Sequence, residues 1–156
     1  MINPVPSAPA LRDLHAEVAL RLGVLDQRYT ASRRALVDVL ARAGRPLSIP
    51  EILRAAPALP QSSAYRNITI LIDAGAVRRV AGNDANGRFE LAEDLAGHHH
   101  HLLCTGCGQV FDIDAAPRLE RALAEAARDI AEANGFAVDD HRIDLVGTCA
   151  RCQAAG

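Results

Sequence analysis

The sequence predicts an α+β chain: an N-terminal winged helix-turn-helix unit, then a small α/β unit for dimerisation, closed by a four-cysteine structural zinc site. Three observations predict it. Apolar residues recur at helical spacing as far as residue 75, after which the period changes to short strand-like runs. The four cysteines form two Cys-x-x-Cys pairs, CTGC and CARC, with 41 residues between Cys107 and Cys149. Four consecutive histidines, His98 to His101, lead directly into the first pair.

The elements follow in order. LRDLHAEVALRLG, 11–23, carries Leu11, Leu14, Val18 and Leu22 at helical period. TASRRALVDVLARAG, 30–44, reads as a second helix with Thr30 or Ser32 as cap, Leu36, Val39 and Leu40 as buried stripe, and Gly44 as stop. IPEILRAAPAL fits a short third helix, with Pro50 in its first turn and Pro57 ending it. PQSSAYRNITILIDAGAV reads as a fourth, capped by Ser62 or Ser63, buried through Ile68, Leu71 and Ile72, and stopped at Gly75. AVRRV and GRFEL, 76–80 and 87–91, are short strands around the turn-rich GNDAN, 82–86.

Helices, the last two close together, followed by a hairpin make a winged-helix pattern. Its second close-packed helix would enter a DNA major groove by its N-terminal residues. Those residues are Ser62, Ser63, Tyr65 and Arg66, with Arg78, Arg79 and Arg88 on the hairpin as backbone contacts. The period alone allows Tyr65 to be a half-buried core aromatic, and Arg78 and Arg79 to be a solvated strand edge.

In the second half, HLLCTGCGQVFDI gives strand, knuckle, strand. Pro117 opens the helix PRLERALAEAARDIAEANG, with Leu119, Leu123, Ala127 and Ile130 on its apolar side and Asn134 and Gly135 at its end. FAVDDHRIDLVGTCARC returns as a strand on which His141 shares an inward face with Ile143 and Leu145. A unit of about 60 residues is small for a free-standing core, so a metal staple and dimerisation are both expected remedies. The expected boundaries are 1–92 for the DNA-binding unit with its helical extension, 93–97 for a hinge, and 98–156 for dimerisation and metal binding.

Charge supports the division. Residues 1–92 hold 12 Arg and 8 acids; residues 93–156 hold 5 Arg and 11 acids, so the net −2 hides +4 and −6. The first half suits a phosphate backbone and the second does not. No apolar run is long enough for a membrane helix, and MINPVPSAPA lacks the pattern of a secretion signal, which points to the cytoplasm.

Two separate CxxC pairs fit a tetrahedral thiolate zinc site at Cys104, Cys107, Cys149 and Cys152. Disulfides are the competing reading, and a redox CxxC would need one pair only. The histidine run is internal, so it is no purification tag. If it is extended, His99 and His101 face one way and His98 and His100 the other, so one run can serve two sites. Further candidate donors are Glu90 between Phe89 and Leu91, Asp112 after the knuckle, Glu120 in the first turn of the long helix, and His141. Imidazole suits zinc, iron and nickel, while added carboxylates favour manganese and iron.

SSAYRNITILIDAGAV, GRFEL with HHHHLLCTGCGQV, and HRIDLVGTCARC together resemble the ferric uptake regulator family of metal-dependent repressors, over residues 28–152. The resemblance implies a homodimeric, non-enzymatic repressor of palindromic double-stranded DNA. It implies structural zinc on the four cysteines, a regulatory interdomain site at Glu90, His99, His101 and Asp112, and a second site at His98, His100, Glu120 and His141. Glu120 matches only with one extra residue between knuckle and helix. Pro46 stands where iron- and peroxide-sensing members place a further histidine, and Ala92 where many zinc sensors place a cysteine. The four histidines favour a zinc sensor, with iron, manganese, nickel and peroxide sensing as alternatives within the family. A zinc-ribbon adaptor would explain the cysteines but neither SSAYRNIT nor the histidine pairs. A zinc hydrolase would need three ligands, an open water and a base.

Overall fold

The computed structural model describes residues 8–80 and 87–155, with side chains from residue 13 onward. The predicted GNDAN turn lies outside the described residues.

Four helices lead: α1 (Ala8–Val24), α2 (Ala31–Ala43), α3 (Ile49–Ala55) and α4 (Gln61–Asp73). Helix α2 begins where Thr30 accepts a hydrogen bond from the Arg33 backbone N–H and ends at Gly44 in the left-handed region. Its buried stripe is Leu36, Val37 and Leu40; Val39 is only partly covered. A capping box starts α3: the Glu51 carboxylate reaches back to the Ser48 backbone N–H at 2.8 Å. The expected serine cap of α4 is corrected. Pro60 is the N-cap, and the helix already begins at Gln61, so Ser62 and Ser63 lie inside its first turn. A proline held at φ −63° supplies the extended entry without a capping side chain.

Val18 and Leu22 of α1 join Leu36, Ile52, Ile68 and Leu71 in one apolar cluster. Each such side chain, fully buried, stabilises the fold by about 2 kcal/mol. Strands β1 (Val77–Val80) and β2 (Arg88–Leu91) pair antiparallel, with Arg78 opposite Glu90, and Leu47 bridges to Phe89 on the other edge of β2. Flanked on both edges, β2 is buried along its whole length.

The short helix α5 (Glu93–Ala96) follows where a plain hinge was expected. Beyond it, β3 (His100–Cys104), β4 (Val110–Ile113), α6 (Pro117–Asn134), β5 (Asp144–Gly147) and α7 (Ala150–Gln153) give the predicted β-β-α-β order. The sheet order is β4-β3-β5, with β3 and β5 parallel across the α6 crossover. Two expectations change here. His141 precedes β5 rather than lying on it, and Leu145 is not inward but 53% exposed, beside Val146 at 65%. Leu119 and Ile130 on the apolar side of α6 are exposed as well. None of the described helices is long and apolar enough to cross a membrane.

Candidate metal centres

The chain turn CTGCG curls back on itself, with Gly108 at φ 66°, and α7 returns the closing pair beside it. A Cβ at Gly106 would stand 3.1 Å from Cys152 Sγ, so glycine there lets the two knuckles meet. The sulfurs of Cys104, Cys107, Cys149 and Cys152 lie within 4.8 Å of one another, and all four are free thiols. Cys107 Sγ stands 3.9 Å from Cys149 Sγ. Zinc–sulfur bonds of about 2.3 Å in a tetrahedron put sulfurs about 3.8 Å apart, so the four fit that ion. The backbone N–H groups of Cys149 and Cys107 draw the Cys104 thiol down to about 6, toward the thiolate a metal requires.

The histidine run divides by parity. His99 and His101 stack edge to face, and their Nε2 atoms stand 3.3 and 3.2 Å from Glu90 Oε2. Asp112 completes a group of four donors within 4.8 Å. Its Oδ1 is buried without a hydrogen-bond partner among the described residues. Such an orphaned oxygen costs stability unless something binds it, and a cation fits.

The other face of each ring is anchored. His99 Nδ1–H donates to the Gly97 carbonyl at 2.8 Å, which fixes the orientation of the ring, and His101 Nδ1 meets Asp144 Oδ1 at 3.2 Å. Gly97 holds φ 90° and ψ 157°, a region open essentially to glycine alone, and this turns its carbonyl toward the ring. Both Nε2 atoms are thereby turned toward Glu90 Oε2, which accepts from them; anchoring a ring through its other nitrogen is the arrangement that orients metal-binding histidines.

Electrostatics follow from this packing. Burial opposes ionisation of Glu90, but hydrogen bonds from His101 and His99 and the charge of Arg78 hold it down at about 2. The hydrogen bond to Glu90 raises His99 to about 9, against the opposing effect of burial. Burial pushes Asp112 up to about 6.

His98, His100, Glu120 and His141 form the second group. Glu120 accepts from His100 Nε2 at 2.8 Å and His141 Nε2 at 3.1 Å, and faces His98 Nε2 at 3.3 Å. Helix α6 carries Glu120 to the sheet, so the extra residue before the helix does not prevent the match. His100 is 1% exposed, and its Nδ1 lacks a partner among the described residues. His141 reaches Glu120 from irregular chain, without the strand expected of it.

Three features were missed at the level of sequence. Glu93, His98 and Asp140 form a further group of donors, more exposed than the others. Asp144 anchors His101. Arg78 turns inward, with Nε on Glu90 Oε1 at 2.6 Å and Nη1 on Glu93 Oε2 at 3.2 Å. No signal in the β1 sequence distinguishes this Arg from Arg79, which is exposed. Arg88 is also buried; it donates to the Gly108 carbonyl at 2.7 Å and pairs with Glu51 at 2.7 Å. On α4, Ser62, Tyr65 and Arg66 are exposed and Ser63 half-buried. His15 is bound to Tyr29 Oη at 2.6 Å and to Asp38 at 3.3 Å, apart from every donor group.

The family model described as the Ferric uptake regulator family matches residues 25–146. The chain is 32% identical to the ferric uptake regulation protein of Bordetella parapertussis over 131 residues, 81% of this chain and 89% of that protein. It is 26% identical to the peroxide operon regulator of Bacillus subtilis, covering 80% of this chain and 83% of that one. Among solved structures, the Helicobacter pylori ferric uptake regulator superposes with a TM-score of 0.73 at 22% identity, over 96% of this chain and 95% of that chain.

Proposed function

Since the chain belongs to the ferric uptake regulator family of non-enzymatic, metal-dependent transcriptional regulators, we propose that it is a metal-responsive repressor that binds palindromic DNA as a homodimer. Residues 1–92 act as the winged-helix unit, 93–97 as the hinge and 98–156 as the dimerisation unit. Cys104, Cys107, Cys149 and Cys152 hold structural zinc. Glu90, His99, His101 and Asp112 hold the regulatory ion, and His98, His100, Glu120 and His141 a second one. The observation that carries the reading is the meeting of Glu90, from the hairpin, with His99 and His101, from the start of the second sheet.

The regulatory ion supplies a double positive charge that these four donors share. Glu90 rides on the hairpin and the others on the sheet unit, so holding them together fixes one relative orientation of the two halves. In a twofold dimer that orientation sets the spacing of two α4 helices, each presenting Ser62, Ser63, Tyr65 and Arg66 to a major groove. Arg79 adds a backbone contact. Arg78 and Arg88 would have to leave their carboxylates to join it. The exposed apolar residues of α6 and β5 support a subunit interface there.

Zinc is the ion we favour at the regulatory site. Arg78 occupies Glu90 Oε1, leaving Oε2 to the site. Four single donors suit tetrahedral zinc better than six-coordinate ions. Ferrous iron is the alternative, supported by the similarity to an iron-uptake regulator. The test is a titration of protein that retains its cysteine-bound zinc, with each divalent ion at buffered free concentration, against duplexes selected from a random pool. Zinc should switch on specific binding at the lowest free concentration; specific binding indifferent to every ion would defeat the proposal. Metal must displace the proton of His99, so the apparent affinity should rise with pH up to about 9, releasing at least one proton per ion, and fall more steeply below about 6, where Asp112 is also protonated.

The parity of the histidine run gives a second expected result. His99→Ala or His101→Ala should abolish metal-responsive DNA binding while the fold persists. His98→Ala or His100→Ala should act more weakly, through stability or metal sensitivity. Gel retardation with and without metal checks this, and four equal effects would contradict it.

A further inference from the structure

We propose that Arg78 is a positioning residue that couples the two histidine sites, so that an ion at one weakens the ion at the other. The inference rests on the metal-site reading above and adds a regulation that reading does not contain.

A continuous chain of charged groups joins the two sites, and every link uses a different atom of each group. Glu90 turns Oε2 to His99 and His101 and Oε1 to Arg78 Nε, at 2.6 Å. Arg78 Nη1 reaches Glu93 Oε2 at 3.2 Å. Glu93 Oε1 meets His98 Nδ1, and His98 Nε2 faces Glu120 Oε2 at 3.3 Å. Two carboxylates therefore share one guanidinium. One belongs to the regulatory donors; the other stands behind a second-site donor, where it sets the basicity of the imidazole. Arg78 is held in the middle by its cross-strand pairing with Glu90 and is only 14% exposed, so solvent screens the contacts little.

The sign follows from charge. A dication at the regulatory donors draws the negative charge of Glu90 to itself and repels the guanidinium, which leans toward Glu93. Glu93, more fully neutralised, accepts less strongly from His98 Nδ1–H. His98 Nε2 then becomes a poorer donor, and the second site weakens. In the other direction, an ion on His98 Nε2 polarises its Nδ1–H and draws on Glu93. Arg78 then leans toward Glu90 and weakens the regulatory site. The two effects are equal, as reciprocity of binding requires. Occupancy of the second site thus raises the free metal concentration at which the regulatory site responds.

The experiment is a mutant cycle on the full-length dimer with its cysteine-bound zinc retained, read as regulatory-site affinity for Zn2+ by competition with a chelator. Metal is held where the second site is filled in the wild type. His141→Ala, which weakens the second site, should tighten the regulatory site by about fivefold or more. In an Arg78→Met background the same change should shift it by less than about twofold. Arg78→Lys keeps the charge but not the two-carboxylate fork, so it should lose the coupling too; it also guards against a misfolded methionine variant. A wild type that takes no ion at its histidines overturns the metal-site reading and this inference with it. Two ions bound independently, or a His141→Ala shift equally large in the Met or Lys background, overturns the inference alone.

Discussion

Cys104→Ser and Cys149→Ser should each release the zinc proposed at the four cysteines and dissociate the proposed dimer in one step. The cysteines join the end of β3 to the start of α7, and without the ion those chain ends bear their ordering entropy alone. A structural zinc in a small unit supplies apparent binding free energy of about 10–16 kcal/mol near neutral pH, more than the whole stability of most domains. The loss cannot stay local, because β3 is the central strand of the sheet and carries the histidines. Arg88 transmits it further, since its guanidinium holds the Gly108 carbonyl of the knuckle turn and Glu51 of α3 together. Metal analysis combined with sedimentation reads both outcomes, and a zinc-free variant that remained a native dimer would overturn the structural role.

Glu90→Gln should weaken the regulatory ion by more than the roughly 10–100-fold typical of losing a metal-site supporting contact, because it removes the ligand charge itself. The ratio of operator affinities with and without saturating metal should collapse toward one. Nonspecific, salt-sensitive DNA affinity should be nearly unchanged, since Arg66 and Arg79 remain exposed. Pro46 supplies no imidazole, so Glu90 is the proposed ligand through which the hairpin would share an ion with the sheet unit, beside the direct Arg88–Gly108 hydrogen bond. His15→Ala is the matching control. Its ring is engaged by Tyr29 and Asp38, so the loss should touch the packing of α1 on α2 and leave the metal response intact. A large loss of response in His15→Ala beside a silent Glu90→Gln would reverse these roles.

Helix ends, the β-β-α-β succession and the parity of the histidines are legible because each has a local cause, whereas the grouping of Glu90, Asp112, Glu120 and His141 with those histidines rests on the family resemblance. Thr30, Gly44, Gly75 and Pro117 mark helix ends by backbone chemistry alone, and strand alternation separates His100 from His101 on β3, the parity carrying back to His98 and His99, which precede the strand. Ser48 and Glu51 carry a readable capping signal, Ser-x-x-Glu, at the start of α3. The orientation of Arg78 and Arg88 was not legible. A two-stranded hairpin is expected to keep one face in water, but Leu47 and the histidine cluster cover β2, and its charged residues must find partners inside. Arg33 is buried for a partly nonlocal reason, with Gln27 and the Arg28 carbonyl of the preceding loop and Asn67 of α4 gathered around it from two segments. The start of α4 failed differently: a proline at N-cap took the place of two plausible serines.

The parallel pairing of β3 with β5 has a consequence in time. His101 lies beside Asp144, and the strand between β4 and its return is replaced by an entire helix. Local contacts within α6 can form as soon as that segment leaves the ribosome, whereas the third strand must close a long loop before it gains anything. Cys152 follows Cys107 by 45 positions. At about 5–20 residues per second, a nascent chain carries an unclosed dithiol for roughly two to nine seconds. During that interval the opening pair lacks its two partner thiols, so newly made protein is expected to be more sensitive to oxidants than the folded chain.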